Sequence, residues 1–408
     1  MNRILKYFIL SAILFLPAIL FAKGAIIGYA GGWQASPTAA QLDRVTHIVL
    51  MEWSPNPDGT LRNLYPGSAQ VGGWLTRFVN DAHAKGVKVS FAITGSKWRT
   101  DDYHFPHVTR DEHRANFVKN IVDFVHRHNL DGVDIDWEFP TGDAEWKQCM
   151  SLLEELRAAM PNKRITIAIG ADSPQPQFNN HFNMTDRSIV QERIWEPVDA
   201  IHLMTYGMHG VTRPVRWETH SDVHASKATL NRWADFGKGQ PGFCKEKLIM
   251  GCAFYGLATP SSAGFYRNGG GVGCDTPETL KQKVDFCWDH GFGGVMIWEL
   301  GYDKNLSTTP DLLTAIWEAT EAKRNQTSIH QSNVFEIQVY PNPFVSEITI
   351  SDAANSSLQI VDLLGKVVYT QQIDQAVETI QLGDLASGVY FLRIEKDGKT
   401  VVSQVIKR

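Results

Sequence analysis

Cysteine is scarce in this sequence of 408 residues, which contains five, at positions 149, 244, 252, 274 and 287. An odd and small count in a chain of this length excludes a disulfide framework. No two cysteines have the CxxC spacing that supports a zinc site. We expect Cys252, in an apolar run, to be a buried thiol, and we consider Cys274 and Cys287 as a pair for a bridge.

A large excess of charge is also missing, because 39 basic residues stand against 44 acidic ones, a net charge of −5. Nucleic acid is therefore not an expected partner. A long apolar run occurs only at the N-terminus, where residues 7–21 follow Arg3 and Lys6 and precede the small residues Ala22 and Gly24. This pattern predicts a secretory signal peptide over residues 1–24, with an uncleaved membrane anchor as the alternative.

Short apolar runs alternate with helical patterns from residue 25 to residue 322. Helical patterns include residues 112–128, which end at Asn129, and residues 144–160, which end before Pro161. This alternation predicts an α/β protein with a (β/α)₈ TIM barrel. A doubly wound open sheet is the alternative, but no glycine-rich phosphate-binding sequence follows the first strand. The eight predicted strands are 25–30, 46–53, 87–94, 132–139, 164–171, 200–207, 247–256 and 293–300.

The composition and the periodicity of the sequence change after residue 322. Residues 323–333 are polar and aperiodic and predict a linker. Residues 334–408 contain short alternating strands separated by turn signals such as Asn342-Pro343, which predict a small all-β sandwich. Tryptophan is absent from this tail, which disfavours a carbohydrate-binding module.

The stretch LDGVDIDWEFP, residues 130–140, places four carboxylates in an otherwise apolar run. Alternate residues of a strand face the same way, so Asp134, Asp136 and Glu138 share one face. In a barrel this face points inward, and Glu138 lies at the carboxyl-terminal rim, where barrel active sites occur. Crowded carboxylates disfavour each other's ionisation, which suits a general acid. A metal site is disfavoured, because calcium loops alternate acids with turn glycines rather than with Val, Ile and Trp.

The spacing Asp131-x-x-Asp134-x-Asp136-x-Glu138 resembles the active-site signature of family 18 glycoside hydrolases, the chitinase family. The segments GYA (28–30), LMTYG (203–207), KLIMGCAFYG (247–256) and GGVMIWEL (293–300) resemble the first, sixth, seventh and eighth strands of that family. The resemblance implies a catalytic barrel over residues 25–322 that needs no metal or other cofactor. Its implied substrate is chitin or another glycan that contains N-acetylglucosamine.

The resemblance also implies roles for individual residues. Glu138 protonates the glycosidic oxygen, and the substrate's own 2-acetamido oxygen attacks the anomeric carbon, so that the configuration is retained. Asp136 holds the acetamido group, and Asp134 tunes Asp136 through a shared proton. Tyr206 hydrogen-bonds the acetamido group, and Trp298 forms the apolar floor under the reacting sugar.

Two positions depart from the family pattern. The third strand reads Ala92-Ile93-Thr94-Gly95, so the serine that commonly supports the first inner aspartate is absent, and Tyr29 is the candidate to share that support. Gly207 replaces the aspartate that usually ends the sixth strand, which leaves substrate distortion and the pH optimum open.

The connection between the seventh and eighth strands is short, so we expect an open cleft and internal cleavage of a polymer. Trp33, Trp53 and Trp98 follow early strands and are candidates to line this groove, with ordinary rim packing as the alternative. Met204, beside Tyr206, is a further candidate substrate contact.

The tail has a resemblance of its own. VYPNPF (339–344), LLGKVV (363–368), LASGVYFLRI (385–394) and the basic end VIKR resemble the carboxyl-terminal sorting domain of type IX secretion. The resemblance implies the type IX machinery as a partner of residues 334–408 and export across the outer membrane, with attachment to the cell surface as an alternative fate.

Three functions follow from these patterns. The first is a secreted, monomeric chitinase that cleaves β-1,4-N-acetylglucosamine linkages with retention. The second is an endo-β-N-acetylglucosaminidase that acts on the N-glycan core with the same acids. The third is a lectin-like protein that binds chitin with little or no turnover.

Overall fold

The computed structural model describes residues 23–34, 36–65, 73–96, 103–171, 185–208, 220–259, 262–266, 272–304, 311–332, 337–362, 366–397 and 399–408. The predicted signal peptide lies outside the described residues except for its last two positions, Lys23 and Gly24. The chain divides into two compact units between Glu321 and Ala322. Among the described residues, no helix is long and apolar enough to cross a membrane.

The first unit is built on a closed barrel of eight parallel strands, as predicted. The strands follow the order β1-β11-β8-β7-β6-β5-β4-β2, and pairing of β1 with β2 closes the barrel. The strands of this unit are β1 (Ala25–Gly31), β2 (His47–Pro55), β3 (Leu61–Asn63), β4 (Lys88–Ser96), β5 (Gly132–Glu138), β6 (Arg164–Gly170), β7 (Ala200–Met204), β8 (Leu248–Ala253), β9 (Gly256–Thr259), β10 (Ser262–Tyr266) and β11 (Gly294–Trp298).

Every predicted strand is present, with ends that differ by a few residues. The sequence analysis did not predict β3, which pairs with β2, or the hairpin of β9 and β10. The helices are α1 (Ala39–Leu42), α2 (Gly73–Ala84), α3 (Phe105–Val108), α4 (Asp111–Arg127), α5 (Gly142–Ala159), α6 (Ser188–Gln191), α7 (Val223–Gly237), α8 (Pro277–His290) and α9 (Asp311–Ser332).

The helices cover the outer face of the barrel because each carries an apolar stripe. In α4, Phe117, Ile121 and Val125 are buried at helical spacing, and the chain leaves the helix through Asn129 in the left-handed conformation, with φ of 51°. In β5, the outward-facing Trp137 is buried and stacks on Phe105 with ring centroids 5.0 Å apart. The outer faces of the strands and the inner stripes of the helices thus form one apolar core.

The predicted linker at residues 323–333 is helical over residues 323–332, which continue α9. The helix starts on apolar residues that pack on the barrel, Leu312, Leu313 and Ile316. Lys323 and Arg324 are good helix formers, so a helix already nucleated by packing extends through them without an apolar period of its own.

The disulfide bridge that we considered between Cys274 and Cys287 is not formed. All five cysteines lie in described residues, and each is a free thiol. Cys287 is buried on the barrel side of α8, whereas the Sγ atom of Cys274 lies 3.7 Å from the carbonyl oxygen of Ala253. The two side chains serve different packing contacts.

The second unit consists of two antiparallel sheets, in agreement with the predicted all-β tail. The orders are β12-β13-β16 and β15-β14-β17-β18, and both sheets contribute to one apolar core that includes Ile350, Ile360 and Ile394. The strands are β12 (Gln338–Tyr340), β13 (Glu347–Ser351), β14 (Ser356–Val361), β15 (Val367–Ile373), β16 (Val377–Gln381), β17 (Gly388–Lys396) and β18 (Lys399–Lys407).

Candidate active site

Strand β5 separates its side chains as the sequence predicts. Asp134 and Asp136 are buried at the inner face, with 0% and 4% of their surfaces exposed. Glu138 ends the strand and is half-buried at the rim. Val133 and Ile135 lie in the outer core with Trp137. The strand therefore delivers two carboxylates to the cleft above it and a third beneath them.

Asp134 is held by three side chains from other strands. Tyr29 of β1 donates its hydroxyl hydrogen bond to Asp134 Oδ2 over 2.7 Å, as the sequence predicts. Thr166 of β6 donates to Asp134 Oδ1. His202 of β7 places Nδ1 3.4 Å from Asp134 Oδ1 and 2.7 Å from the hydroxyl of Tyr29. Both carboxylate oxygens of Asp134 thus accept hydrogen bonds from hydroxyl groups.

Sequence analysis missed Thr166 and His202, although both left a signal. Each is a polar residue at an inward position of a mostly apolar strand, and parallel pairing aligns Thr166 with Asp134. A polar side chain at such a position needs a buried partner. A search for inward polar residues on neighbouring strands would therefore have found both.

Asp136 accepts a hydrogen bond from the hydroxyl of Thr94 at the end of β4, over 3.0 Å. Pairing of β4 with β5 places Thr94 directly beside Asp136. Thr94 stands in the segment that departs from the family pattern. The departure thus supplies a hydroxyl to the second inner aspartate.

The environment raises the proton affinity of all three carboxylates. Burial raises the pKa of Glu138 to about 7. Burial, followed by the charges of Glu138 and Asp134, raises the pKa of Asp136 well above its usual range. Burial raises the pKa of Asp134 to about 6, although the hydrogen bonds from Thr166 and Tyr29 oppose this effect. The site therefore retains protons near neutral pH, as a general acid requires.

A cleft of about 330 Å³ opens above these carboxylates at the carboxyl-terminal end of the barrel. Its lining brings together seven residues that the sequence analysis proposed for substrate binding or catalysis, together with residues that it did not propose. Their roles in the reaction stay predictions. The lining residues are Tyr29, Trp33, Met51, Leu64, Tyr65, Thr94, Ser96, Asp136, Glu138, Ala168, Met204, Tyr206, Tyr255 and Trp298.

Two tryptophans form an aromatic wall of the cleft. Trp298, at the end of β11, lies 5.9 Å from Trp33 between ring centroids. The indole N–H of Trp33 donates to Glu299 Oε1 over 2.9 Å, and the backbone N–H of Gly31 donates to Glu299 Oε2 over 2.9 Å. Sequence analysis missed the fully buried Glu299, which fixes the orientation of Trp33.

Two tyrosines, Tyr206 and Tyr255, line the cleft together with the carboxylates. The rings of Tyr206 and Tyr255 meet edge to face with centroids 6.1 Å apart. Burial, followed by the charge of Tyr255 and of the carboxylates, raises the pKa of Tyr206 well above its usual range. Tyr206 therefore stays protonated and can donate a hydrogen bond to a bound ligand. Sequence analysis did not name Tyr255 as a site residue.

The expectation that Trp53 lines the groove is wrong. Its ring packs edge to face on Phe91 and Phe124, with centroids 5.7 and 5.3 Å away, and only 5% of its surface is exposed. The pairing of β2 with β4 shifts register between Leu50 and Trp53, which reverses the face on which the following side chains lie. Met51 lines the cleft instead. Trp98 lies outside the described residues.

Gly207, the second departure from the family pattern, adopts a left-handed backbone conformation with φ of 67°. Its backbone N–H donates to His220 Nδ1 over 3.0 Å. Glycine reaches this conformation at little cost, whereas most other residues do not. Strand β7, the sixth strand of the barrel, is thus followed by a turn rather than by an acidic side chain.

In the described part of the chain, no group of three or more His, Cys, Asp or Glu side chains is arranged to hold a metal ion.

Comparison with known proteins identifies both units. Residues 338–408 match the family model of the secretion system C-terminal sorting domain. A probable chitinase 2 of Drosophila melanogaster is 29% identical over 309 residues, which cover 73% of this chain and 58% of that protein. The chain spans about half the length of the curated relatives it matches.

Two solved structures share the barrel fold. A Group IV chitinase of Ostrinia furnacalis in complex with allosamidin has a TM-score of 0.56 at 20% identity, over 74% of this chain and all of that chain. Human YKL-39, described as a pseudo-chitinase that retains chitooligosaccharide binding, has a TM-score of 0.55 at 18% identity, over 73% of this chain and all of that chain.

The barrel supplies the wider match. Residues 25–303 match the family model of glycosyl hydrolases family 18, from the first strand of the barrel to the turn that follows its last. With the acidic strand β5 at the centre of this range, the chain belongs to glycosyl hydrolases family 18, and its tail is a secretion system C-terminal sorting domain.

Proposed function

We propose that this protein is a chitinase that hydrolyses β-1,4-linked N-acetylglucosamine polymers with retention of configuration. The observation that carries the proposal is the pair of Glu138 and Asp136 at the base of an aromatic cleft. Because the pKa of Glu138 is raised to about 7, its carboxyl is protonated near neutral pH and can protonate a glycosidic oxygen. The wall of Trp33 and Trp298 offers flat apolar surfaces to sugar rings.

The arrangement of acids favours a nucleophile that the substrate supplies. Among the described residues, Asp136 and Glu138 are the carboxylates that line the cleft, and both extend from β5. Glycosidases that use two enzyme carboxylates place them on either side of the scissile bond, which two neighbours on one strand do not do. The 2-acetamido oxygen of the substrate then attacks the anomeric carbon, and Asp136 and Tyr206 hold the acetamido group.

Asp136 is suited to this task because it lies between two acids and has one hydrogen bond to Thr94. As positive charge develops on the acetamido group, a carboxylate at this position stabilises the transition state more than the bound substrate. The presence of Glu138 supports turnover rather than the binding without hydrolysis that is described for YKL-39.

Product analysis on two substrates tests the proposal. Chitin oligosaccharides and a high-mannose glycoprotein are incubated side by side with the protein, and the anomer first formed is read by proton NMR. We expect cleaved oligosaccharides with the β-anomer first and an intact glycoprotein. Release of the glycan alone would indicate an endo-β-N-acetylglucosaminidase, and binding without turnover would indicate a lectin-like protein.

A substrate without acetamido groups tests the nucleophile. We expect a fully deacetylated polymer to resist cleavage, and we expect a thiazoline that mimics the bicyclic intermediate to inhibit competitively. Efficient cleavage next to a deacetylated sugar would require a nucleophile from the enzyme and would contradict the proposal.

We further propose that the protein is exported through the type IX secretion system. The support is the sorting domain at residues 338–408, together with the signal-peptide pattern of residues 1–24. Deletion of residues 334–408 leaves α9 whole and spares the separate core of the barrel. We expect this variant to keep hydrolytic activity and to remain inside the native cell envelope, whereas normal release would refute the sorting role.

A further inference from the structure

A buried histidine lies behind the catalytic carboxylates and is not among the residues that line the cleft. His202, at the inner face of β7, is 1% exposed. Its Nδ1 atom lies 2.7 Å from the hydroxyl oxygen of Tyr29, which itself lies 2.7 Å from Asp134 Oδ2. Tyr29 thus stands between His202 and Asp134 and has a single proton to donate.

The single proton of Tyr29 couples its two neighbours. If Tyr29 donates to Asp134, then His202 must donate Nδ1–H to the hydroxyl oxygen of Tyr29, and Asp134 can be a carboxylate. If Tyr29 donates to His202, then Nδ1 is a bare acceptor, and Asp134 must be protonated to complete the contact with Tyr29. The ring nitrogen that carries the proton of His202 and the protonation of Asp134 are therefore linked.

Burial is the main influence on the charge of His202. Burial, and then the charges of Arg164 on β6 and His47 on β2, lower its pKa well below the usual value. Asp134 on β5 and Tyr29 on β1 are the other titratable groups that it faces. The ring is thus neutral, and one of its two tautomers must be chosen.

Two observations favour the tautomer with hydrogen on Nδ1. Two acceptor oxygens lie near Nδ1, one from Tyr29 and one from Asp134 at 3.4 Å. The Nε2 atom is buried and has no hydrogen-bond partner among the described residues. A buried N–H without an acceptor is rarer in proteins than an acceptor with an unused lone pair.

We propose that His202 is a positioning residue that donates Nδ1–H to Tyr29, and thereby keeps Asp134 ionised and the proton of the site on Asp136 and Glu138. Tyr29 and Thr166 then both donate to Asp134. An ionised Asp134 repels a second charge on Asp136, so that Asp136 and Glu138 retain the proton that is delivered to the leaving oxygen. This inference rests on the proposed glycoside hydrolysis.

Two substitutions of His202 test the proposal through the pH profile of kcat/KM. His202→Phe removes the donor, so Asp134 takes up a proton more readily, and we expect the acid limb to move to higher pH by about one unit. His202→Asn keeps an N–H near the position of Nδ1 and should restore the acid limb of the native enzyme. His47→Phe changes a half-buried histidine whose pKa is also lowered but which lies outside the Tyr29–Asp134 contacts, so it is the matched control and should leave the limb unchanged.

An unchanged acid limb in His202→Phe, or equal shifts in His202→Phe and His47→Phe, would overturn the proposal. A shift that His202→Asn does not repair would also contradict it. Nitrogen-15 NMR of the histidine-labelled native protein gives a test that does not depend on turnover. The histidine signals of the native protein that are absent from the spectrum of His202→Asn belong to His202. We expect these signals to show a protonated Nδ1 and a bare Nε2. The opposite tautomer would refute the proposal even if the enzyme hydrolyses chitin. Failure of every substrate would instead count against the proposed function.

Discussion

The two ends of strand β5 carry the same kind of side chain in opposite electrostatic settings. Directly before the first residue of β5, Asp131 accepts hydrogen bonds from His83 over 2.6 Å, from Val89 N–H over 2.8 Å and from Lys88 over 3.1 Å. Burial alone would raise the pKa of Asp131, but these hydrogen bonds and the charge of Lys88 lower it. At the other end, burial prevails and raises the pKa of Asp136 and Glu138.

The difference shows that position in the barrel decides what a carboxylate does. Asp131 belongs to the sequence signature but lies away from the cleft and joins β5 to neighbouring elements through Val89 and His83. A carboxylate that accepts several hydrogen bonds stabilises the fold, whereas a buried carboxylate with few hydrogen-bond donors remains reactive. The amino-terminal face of such a barrel serves stability and the carboxyl-terminal face serves chemistry.

The largest effect is expected from Glu138→Gln at the reactive end. The amide keeps the size of the side chain but cannot protonate the leaving group, so kcat should fall by about 10²- to 10⁴-fold. Steady-state kinetics on chitin oligosaccharides measure the loss, and thermal unfolding should show no decrease in stability. A variant with nearly native turnover would remove Glu138 from the mechanism.

The equivalent change at the other end should separate stability from activity. Asp131→Asn leaves the donors of Val89, His83 and Lys88 without a charged acceptor, so we expect the free energy of unfolding to decrease by about 1–3 kcal/mol. Urea denaturation measures this decrease. The folded variant should keep kcat within about twofold, and a large loss of kcat without loss of stability would place Asp131 in the active site.

The pH dependence of the native enzyme should reflect the acid at the rim. Glu138 acts in its protonated form, so kcat/KM should fall as the pH rises through about 7 and then decrease by about tenfold for each further pH unit. Rates on a soluble oligosaccharide between pH 5 and 9 measure this limb. Asp131→Asn is the control that should leave it in place, and a limb that starts far above pH 7 would assign the acid to another group.

Much of this organisation could be predicted from sequence, because strand alternation fixes which residues face inward. Alternation placed Asp134, Asp136 and Glu138 correctly, and the order of apolar runs gave the barrel. The prediction for Trp53 is wrong, because an irregular pairing of β2 with β4 reverses the side-chain direction there. An irregularity of pairing depends on the neighbouring strand and leaves no mark in the local pattern.

The partners of the carboxylates were harder to predict, because they come from distant parts of the chain. Thr166 and His202 meet Asp134 from separations of 32 and 68 residues, and Glu299 meets Trp33 from 266 residues away. Hydrophobic periodicity identifies elements but not which side chains of two elements touch. The register of the closed barrel supplied that information.

The smallest expected effect is on the free energy of unfolding, which the buried carboxylate of Asp136 lowers when it is ionised. The pKa of Asp136 is raised in the folded state, so the folded protein binds more protons than the unfolded chain between the usual pKa of an aspartate and the raised value. Its contribution to stability therefore becomes less favourable as the pH rises through that window. Asp136→Asn removes the buried charge while the amide oxygen can still accept from Thr94. We expect the variant to gain about 1 kcal/mol at pH 8 relative to the native protein and to gain nothing at pH 4.

Asp131→Asn provides the opposite sign for the same experiment. The pKa of Asp131 is lowered in the folded state, so its stabilising contribution is present above the usual aspartate pKa and fades as the pH falls. The loss caused by Asp131→Asn should therefore be larger at pH 8 than at pH 4, while Asp136→Asn gains stability at pH 8 as it loses activity. Urea denaturation of both variants at the two pH values measures the pair of slopes. Equal changes at pH 4 and pH 8 in either variant would show that shape, rather than charge, distinguishes the two ends of β5.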